Sequence, residues 1–311
     1  MAVEEAKPGC QSLCGNLTVP YPFGMEEGCY MERNFFIRCD NSSTTEPPKP
    51  LLSTSNIDVL HIDLDGELRI RNWVGSDCYN SSGPSSSFQT WLRSGLYNIS
   101  STKNKFTAIG CDTIAIITGT TGQDYTTGCV SLCGGINDVS DGSCSGIGCC
   151  QASIPRGVRD YNISLGSFYN HSTVLTFNPC TYGFVVEEGE YEFSTWDLNR
   201  TDDNWKLPMV LDWTIGDQNC SEANQDPETY ACKDNTVCHE PEFGNGYLCR
   251  CNDGFEGNPY LSNGCQDKNE CEALNPCNST CHNTFGGFYC SCPEGYEGDG
   301  SWPPGWKWLQ S

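Results

Sequence analysis

The sequence has no long apolar run and no leader-like start. No stretch reaches the roughly 18 uncharged apolar residues that a membrane-spanning helix requires. The first residues also lack the basic, apolar and small-residue succession of a secretory signal peptide. These absences predict a mature segment that was exported and processed, with Met1 as an added start residue. The closing residues 301–311 fit no module, so we assign them no function.

Cationic side chains are scarce. The chain has 17 Lys and Arg against 40 Asp and Glu, for a formal net charge of −23. Such a protein repels polyanions over the Debye length of about 8 Å at physiological salt, so nucleic acid is not expected as a partner. Residues 10–110 hold eight basic and ten acidic side chains, whereas residues 111–311 hold eight and twenty-eight. An anionic ligand is therefore expected to bind in the amino-terminal third.

The short motifs of common catalytic sites are also missing. The sequence contains no zinc-protease motif, nucleophile elbow or phosphate-binding loop, and its four histidines lie in unrelated contexts. Glutamates at 187–192 could in principle hydrolyse a glycoside as a carboxylate pair, but most of them would share one solvated face of a strand. We therefore predict that the chain is not an enzyme.

Cysteine, in contrast, is abundant, with 23 residues. An oxidising compartment converts such a density into disulfides. Nine Asn-x-Ser/Thr tripeptides agree with this, because they are acceptors for N-glycans in secreted proteins. Both features predict an extracellular location. The acceptors are Asn16, Asn41, Asn80, Asn98, Asn162, Asn170, Asn199, Asn219 and Asn278.

Short runs of alternating apolar and polar residues, separated by Gly, Pro, Ser and Asn, recur before residue 193. Period-two alternation predicts strands, and no long segment has helical periodicity. We predict a mainly β fold: a disulfide-rich, β-sandwich-like amino-terminal region followed by two small modules. The expected strands cover residues 57–64, 67–74, 106–117, 173–177 and 184–193. Cysteine spacing sets the expected domains at residues 10–110, 111–216, 217–266 and 267–300, with a tail at 301–311.

The last eleven cysteines form two ladders. Six cysteines from Cys220 to Cys265 have a single residue between the fourth and the fifth, and five from Cys271 to Cys292 repeat the pattern. Both ladders resemble epidermal growth factor (EGF) modules, the second truncated before its sixth cysteine. The resemblance implies the bridges Cys220–Cys238, Cys232–Cys249, Cys251–Cys265, Cys271–Cys281 and Cys277–Cys290, and it leaves Cys292 unpaired. A zinc site is not expected, because the spacing differs from that of zinc ribbons.

The second module carries two half-motifs, Asp-Lys-Asn-Glu-Cys at 267–271 and Cys-His-Asn at 281–283. They are similar to the calcium-binding variety of EGF module, which implies a structural Ca²⁺ ion at the junction between the modules. Ca²⁺ takes six to eight oxygen ligands. The implied ligands are side-chain oxygens of Asp267, Glu270 and Asn283 and carbonyl oxygens of Lys268, Thr284 and Gly287. A solvated acidic linker is the alternative, and no ion is expected in the first module.

Residues 10–24 read Cys-x3-Cys-Gly-Asn-Leu-Thr-Val-Pro-Tyr-Pro-Phe-Gly. This run looks like the galacturonan-binding, cysteine-rich domain of plant wall-associated receptor kinases, and further runs up to residue 213 are similar to the ectodomain of the same family. The resemblance implies the outer part of a membrane-anchored receptor that binds cell-wall pectin or oligogalacturonides and signals through a kinase outside this chain. A pathogen effector or a co-receptor protein, recognised in plant immunity, is the alternative partner.

Two groups of residues are candidates for the ligand site. Strand 67–73 alternates, so its two arginines should project from one face, where guanidinium groups can bind uronate carboxylates in pairs. The rings of the Pro-Tyr-Pro-Phe-Gly run are either a sugar platform or buried anchors of a small core. For each cation, an ordinary solvated strand face is the alternative. The candidates are Arg69, Arg71, Lys103, Lys105, Tyr21 and Phe23.

Overall fold

The computed structural model describes residues 5–43, 45–201, 204–242, 245–273, 276–277, 280–292, 296–297 and 307–308. Side chains are described for these residues except at 273, 296–297 and 307–308. The glycan acceptor Asn278 and most of the tail at 301–311 therefore lie outside the described residues. Within them, no helix has the length and apolar character needed to cross a membrane.

Short antiparallel strands build the region up to residue 212, together with 3₁₀ turns at Arg33–Phe35, Ile136–Asp138 and Thr195–Asn199. The mainly β, disulfide-rich fold is thus confirmed. The strands are β1 (Leu13–Cys14), β2 (Leu17–Thr18), β3 (Ile37–Asp40), β4 (Lys49–Leu52), β5 (Asp58–Ile62), β6 (Glu67–Trp73), β7 (Gly75–Asn80), β8 (Gly83–Phe88), β9 (Trp91–Arg93), β10 (Asn98–Ile99), β11 (Asn104–Gly110), β12 (Asp112–Gly119), β13 (Tyr125–Leu132), β14 (Gly148–Ser153), β15 (Asp160–Gly166), β16 (Cys180–Glu187) and β17 (Lys206–Asp212).

β1 pairs with β2, and three larger sheets form the rest of this region, in the strand orders β10-β17-β6-β5-β4-β3, β14-β11-β16-β7-β8 and β13-β12-β15-β9. The expected boundary between residues 110 and 111 does not follow these sheets, because each of them contains strands from both sides of it. Strand β17, for example, lies between β6 and β10. Residues 10–110 and 111–212 therefore form one structural unit. An antiparallel strand can pair with a strand that is distant in sequence, provided that the two lie side by side in the fold.

The central strands of the five-stranded sheet, β11 and β16, are buried on both faces. Along β11, Phe106 and Ala108 point into a main core that is shared with the other sheets. Ile109 points the other way, into a second core with Tyr182 and Phe184 of β16. The structure is consequently layered around this central sheet, and residues of both predicted domains contribute to each layer.

Some expected strands differ from those observed. The run 106–117 is split at Cys111, because Gly110 has a φ of 146°, a conformation that favours glycine. The run 173–177 forms turns and the strand expected at 184–193 ends at Glu187, so Glu188 and Glu190 lie in a turn. At the first of these turns, the Asp112 carboxylate accepts hydrogen bonds from the backbone N–H groups of residues 168, 169 and 171, which draws the chain out of the sheet.

Eleven disulfides pair 22 of the 23 cysteines. The five bridges in the EGF-like modules are the ones that the resemblance implies. Cys292 has no partner among the described cysteines. The sequence left the first twelve cysteines unassigned, and the structure pairs them as Cys10–Cys29, Cys14–Cys39, Cys78–Cys180, Cys111–Cys133, Cys129–Cys150 and Cys144–Cys149.

The two EGF-like modules consist of small hairpins and single helical turns. The first module is joined tightly to the sheets: the Asn258 side-chain amide, which is fully buried, donates hydrogen bonds to the carbonyl oxygens of Tyr21 and Glu5. Tyr260 packs on Trp213 with ring centroids 5.9 Å apart. The elements after residue 212 are α1 (Cys220–Ala223), β18 (Thr236–His239), β19 (Leu248–Cys251), β20 (Phe255–Gly257), β21 (Cys265–Asp267), α2 (Glu270–Ala273), β22 (Thr280–Thr284), β23 (Gly287–Ser291), β24 (Tyr296–Glu297) and β25 (Lys307–Trp308).

Candidate ligand-binding face and calcium site

Strand β6 separates its apolar and charged residues onto two faces. Leu68 and Ile70 are fully buried, while Arg69 is half-buried and Arg71 is exposed on the opposite face, as the alternation predicts. Residues two apart on a strand are about 6.8 Å apart, so the two guanidinium groups can lie side by side. Trp73, two residues further, extends the same face. This outer face of β6 is the candidate ligand-binding face.

Two of the predicted cations are already paired with carboxylates of the protein. The Arg69 guanidinium contacts the carboxylate of Glu187 and lies 2.7 Å from that of Glu190. The Lys103 ammonium lies 2.9 Å from the Glu67 carboxylate. The structure therefore corrects the expectation of a groove with four available cations, because Arg69 and Lys103 share this face with three glutamates.

A buried carboxyl group adjoins the Lys103 pair. Asp212, at the end of β17, is only 5% exposed and lies opposite Glu67 in the sheet. Burial raises the pKa of Asp212 to about 7, against the opposing effects of a hydrogen bond from Ser100 and of the Lys103 charge. Asp212 consequently retains its proton in mildly acidic solution, which reduces the negative charge beside Lys103 there.

Arg71 is the cation that best fits a ligand role. It is exposed and forms no ion pair with another described residue. Lys105 is half-buried in a different sheet, where Ser153 and Val186 lie opposite it on the neighbouring strands. The structure thus places Arg69 and Arg71 on one face, with Lys103 joined to it through Glu67, and assigns Lys105 to another sheet.

The aromatic platform is not formed. Phe23 is 1% exposed and packs edge to face on Phe35 and Trp213, with ring centroids 5.1 and 5.3 Å apart. Tyr21 is half-buried, and burial raises the pKa of its hydroxyl. Of the two roles that the sequence left open, Phe23 takes that of a buried anchor, because the amino-terminal segment must contribute apolar area to a small core.

Sequence reasoning missed a cleft of about 490 Å³ at the end of β6. Its walls include the rings of Trp73, Phe88 and Trp91, and Arg93 lies at its edge. Lys206 holds its ammonium 4.3 Å from the centre of the Trp73 ring. A signal was present in the sequence: bulky aromatic residues next to a run of serines are hard to place in a core. The cleft continues the candidate face with rings that a sugar can stack on.

At the second predicted site, the two EGF-like modules meet at Asp267. Its carboxylate accepts hydrogen bonds from the side-chain amide of Asn283, at 2.6 Å, and from the N–H of Gly286, at 2.5 Å. Phe255 of the first module packs on Phe285 of the second, with ring centroids 5.0 Å apart. The two half-motifs are therefore brought together in space, although 16 residues separate the hydrogen-bonded pair in sequence.

Two side-chain oxygen atoms close to Asp267 in sequence have no hydrogen-bond partner among the described residues. Glu270 is 6% exposed, and its Oε2 atom and the Oδ1 atom of Asn269 are buried without a hydrogen-bond partner among the described residues. A buried oxygen in this state costs about 1 to 3 kcal/mol, more when charged, and a bound cation would relieve that cost. The carbonyls of Lys268 and Gly287 accept hydrogen bonds from the N–H of Glu270 and the hydroxyl of Thr284.

The described glycan acceptors differ in exposure. Asn98 is 4% exposed, and its side-chain oxygen accepts a hydrogen bond from Arg159. A glycan on its amide would not fit in this packed position, so the structure argues against the predicted modification of Asn98. The exposed acceptors are Asn16, Asn41, Asn80, Asn162, Asn170, Asn199 and Asn219.

Comparisons with known proteins agree with these features. The family model of the wall-associated receptor kinase galacturonan-binding domain matches residues 10–72, and that of the calcium-binding EGF domain matches residues 267–303. No solved structure matches the chain.

Three relatives from Arabidopsis thaliana match nearly the whole chain. Wall-associated receptor kinase 2 is 41% identical over 297 residues, which cover 93% of this chain and 39% of the relative. Wall-associated receptor kinase 1 is 37% identical over 308 residues, which cover 94% of this chain and 40% of the relative. Wall-associated receptor kinase 5 is 38% identical over 300 residues, which cover 94% of this chain and 39% of the relative. The chain spans about two fifths of the length of these relatives, in their extracellular part and outside their kinase domain. Over nearly its whole length the chain is therefore similar to the extracellular part of wall-associated receptor kinases.

Proposed function

We propose that this ectodomain binds pectic galacturonan at the outer face of β6, on the extracellular side of a membrane-anchored receptor whose kinase lies outside this chain. The observation that carries the proposal is the match of residues 10–72 to a galacturonan-binding family model, since this range contains Arg69 and Arg71. The chain's role is binding and not catalysis. Its 22 disulfide-bonded cysteines support the extracellular location.

Arg71 would make the first contact with a uronate. Its guanidinium can pair with a carboxylate through two parallel hydrogen bonds, which are about twice as strong as hydrogen bonds between neutral groups. Arg69 would join by exchanging Glu187 or Glu190 for a carboxylate of the ligand. The rings of Trp73 and Phe88 at the adjoining cleft would then stack on the sugars. Because the protein as a whole is acidic, this attraction is local and weakens as salt rises.

Arg71→Ala is expected to weaken oligogalacturonide binding roughly tenfold, the loss of about 1.5 kcal/mol for one charged hydrogen bond. Isothermal titration calorimetry with defined oligogalacturonides, at low and at high salt, measures the effect. Lys49→Ala is the matched control, because it also removes one positive charge from the same sheet but from an exposed pair with Glu46. Equal affinity in Arg71→Ala and wild type at low salt would contradict the proposed face.

A second candidate is recognition of a protein such as a pathogen effector or a co-receptor. Exposed apolar side chains on one face of the four-stranded sheet favour it: Ile116, Val130 and Leu132 are 39%, 52% and 49% exposed. The titrations separate the two candidates, because apolar protein recognition does not depend on salt or on chelators as galacturonan binding would.

We also propose that the second EGF-like module holds a structural Ca²⁺ ion. Side-chain oxygens of Asp267, Glu270 and Asn283 would bind it, with carbonyl oxygens of Lys268, Thr284 and Gly287. Within the described part of the chain, no group of three or more acidic, His or Cys side chains is arranged to hold a metal ion, so amide and carbonyl oxygens would complete the set. The ion would neutralise the carboxylates and hold the two modules in a fixed orientation.

Removal of calcium with a chelator is expected to accelerate proteolysis at the exposed Gln266, because the junction then loses its cross-link. Glu270→Gln should show fast cleavage with and without calcium. Glu272→Gln, an exposed change in the same helical turn, should keep the response to calcium. The calcium concentration for half protection should be about 10⁻⁴ to 10⁻³ M. A cleavage rate unaffected by the chelator would refute the site.

A further inference from the structure

Asn162 and Trp91 face each other across two neighbouring strands. They are directly paired in the antiparallel register of β15 and β9. Directly opposed residues point to the same face, with Cβ atoms about 4.5 to 5.5 Å apart. Their neighbours Tyr161 and Leu92 are buried, which confirms that Asn162 and Trp91 point outward. Trp91 is 62% exposed, so its indole ring is accessible to a ligand or a glycan.

A shallow depression of about 440 Å³ surrounds this pair. Thr118 of β12 lies opposite Asn162 on its other side. Trp91 and Arg93 line both the depression and the cleft at the end of β6. One apolar ring beside a rim that includes Thr118 and Asp160 suits a sugar, which presents C–H groups on its faces and hydroxyls at its edge.

We propose that Asn162 carries an N-glycan whose innermost sugars pack on the indole of Trp91 in this depression. Asn162-Ile163-Ser164 is an acceptor tripeptide, and the exposed side-chain amide is the attachment point. The glycan is thus attached directly opposite the indole ring that it covers. The packing also protects an edge strand, because β9 ends its sheet and an exposed tryptophan there invites association. This inference is independent of the proposed galacturonan binding.

The test uses glycoprotein produced with high-mannose glycans and digested with an endoglycosidase that cuts between the two innermost sugars. Glycopeptide mass spectrometry follows the cut at each site. The glycan on Asn162 should be removed more slowly than that on Asn41, an exposed acceptor outside the strands. Trp91→Ala should accelerate removal at Asn162 alone, by roughly threefold to tenfold, the equivalent of one aromatic packing contact.

Trp196→Ala is the matched control, because Trp196 is another exposed indole, at 83%, and lies in a 3₁₀ turn outside the four-stranded sheet. It should leave the rate at Asn162 unchanged, and Trp91→Phe should restore part of the protection. The proposal is overturned if Asn162 carries no glycan or if Trp91→Ala leaves its removal rate unchanged. It is also overturned if Trp91→Ala accelerates removal equally at Asn41, since that result would report general loosening of the fold.

Discussion

Trp213→Ala is expected to lower the free energy of unfolding by about 3 to 5 kcal/mol, the usual cost of removing a large buried aromatic side chain. Trp213 is 1% exposed and contacts Phe23 and Phe35 on one side and Tyr260 of the first EGF-like module on the other. Its indole N–H donates a hydrogen bond to the carbonyl of Asp63, which the substitution leaves unsatisfied.

Because Trp213 connects the sheets to the first module, its loss should also expose the segment between them. Limited proteolysis should cut residues 214–219 faster in Trp213→Ala than in wild type. Trp196→Ala is the matched control: this ring is 83% exposed, so its removal should change stability by no more than about 0.5 kcal/mol. Equal denaturation midpoints for the two variants would contradict the role of Trp213 as the joint.

The paired substitution Cys78→Ala with Cys180→Ala should cost about 4.7 kcal/mol, because the bridge closes a loop of 102 residues and restricts the unfolded chain strongly. It also joins β7 to β16 inside the central sheet. Both cysteines are buried, at 8% and 2% exposure, so alanine avoids burying a polar hydroxyl group. Denaturant titration under non-reducing conditions gives the difference.

The bridge Cys144–Cys149 provides the comparison, since it closes a separation of only five residues. Removing it should cost about 2 kcal/mol by the same loop-entropy argument. The order of the two effects is the test. A loss in the short-loop variant as large as in the long-loop variant would show that packing around the sulfurs, and not chain restriction, governs both.

Features encoded in short stretches were predictable from the sequence. Spacing within the last eleven cysteines carries the resemblance to EGF modules, and the structure has the five bridges that follow from it. The faces of β6 follow from alternation, because side chains of a strand point to opposite sides in turn. The half-motifs around Asp267 and Asn283 also lie within short segments, and folding one hairpin brings them together.

Features that depend on distant partners were not predictable. Arg69 is bound by Glu187, 118 residues later in the chain, and no local pattern indicates that pair. Asn98 has an acceptor sequence, but β17 and Arg159 bury it from remote positions. The expected division at residue 110 failed for the same reason: β11 takes both of its partners from beyond it.

The sequence by itself determined the chemical class of this protein: an acidic, disulfide-bonded chain of strands followed by two EGF-like modules. Composition, cysteine spacing and short periodicity are properties of neighbouring residues, so they can be read before folding. The tertiary structure alone decided which charges remain available for a ligand and which are neutralised within the protein. It also decided that Phe23 serves the core and that Trp91 faces Asn162. Those outcomes depend on strand register, which positions side chains that are far apart in the chain within a few ångströms of one another.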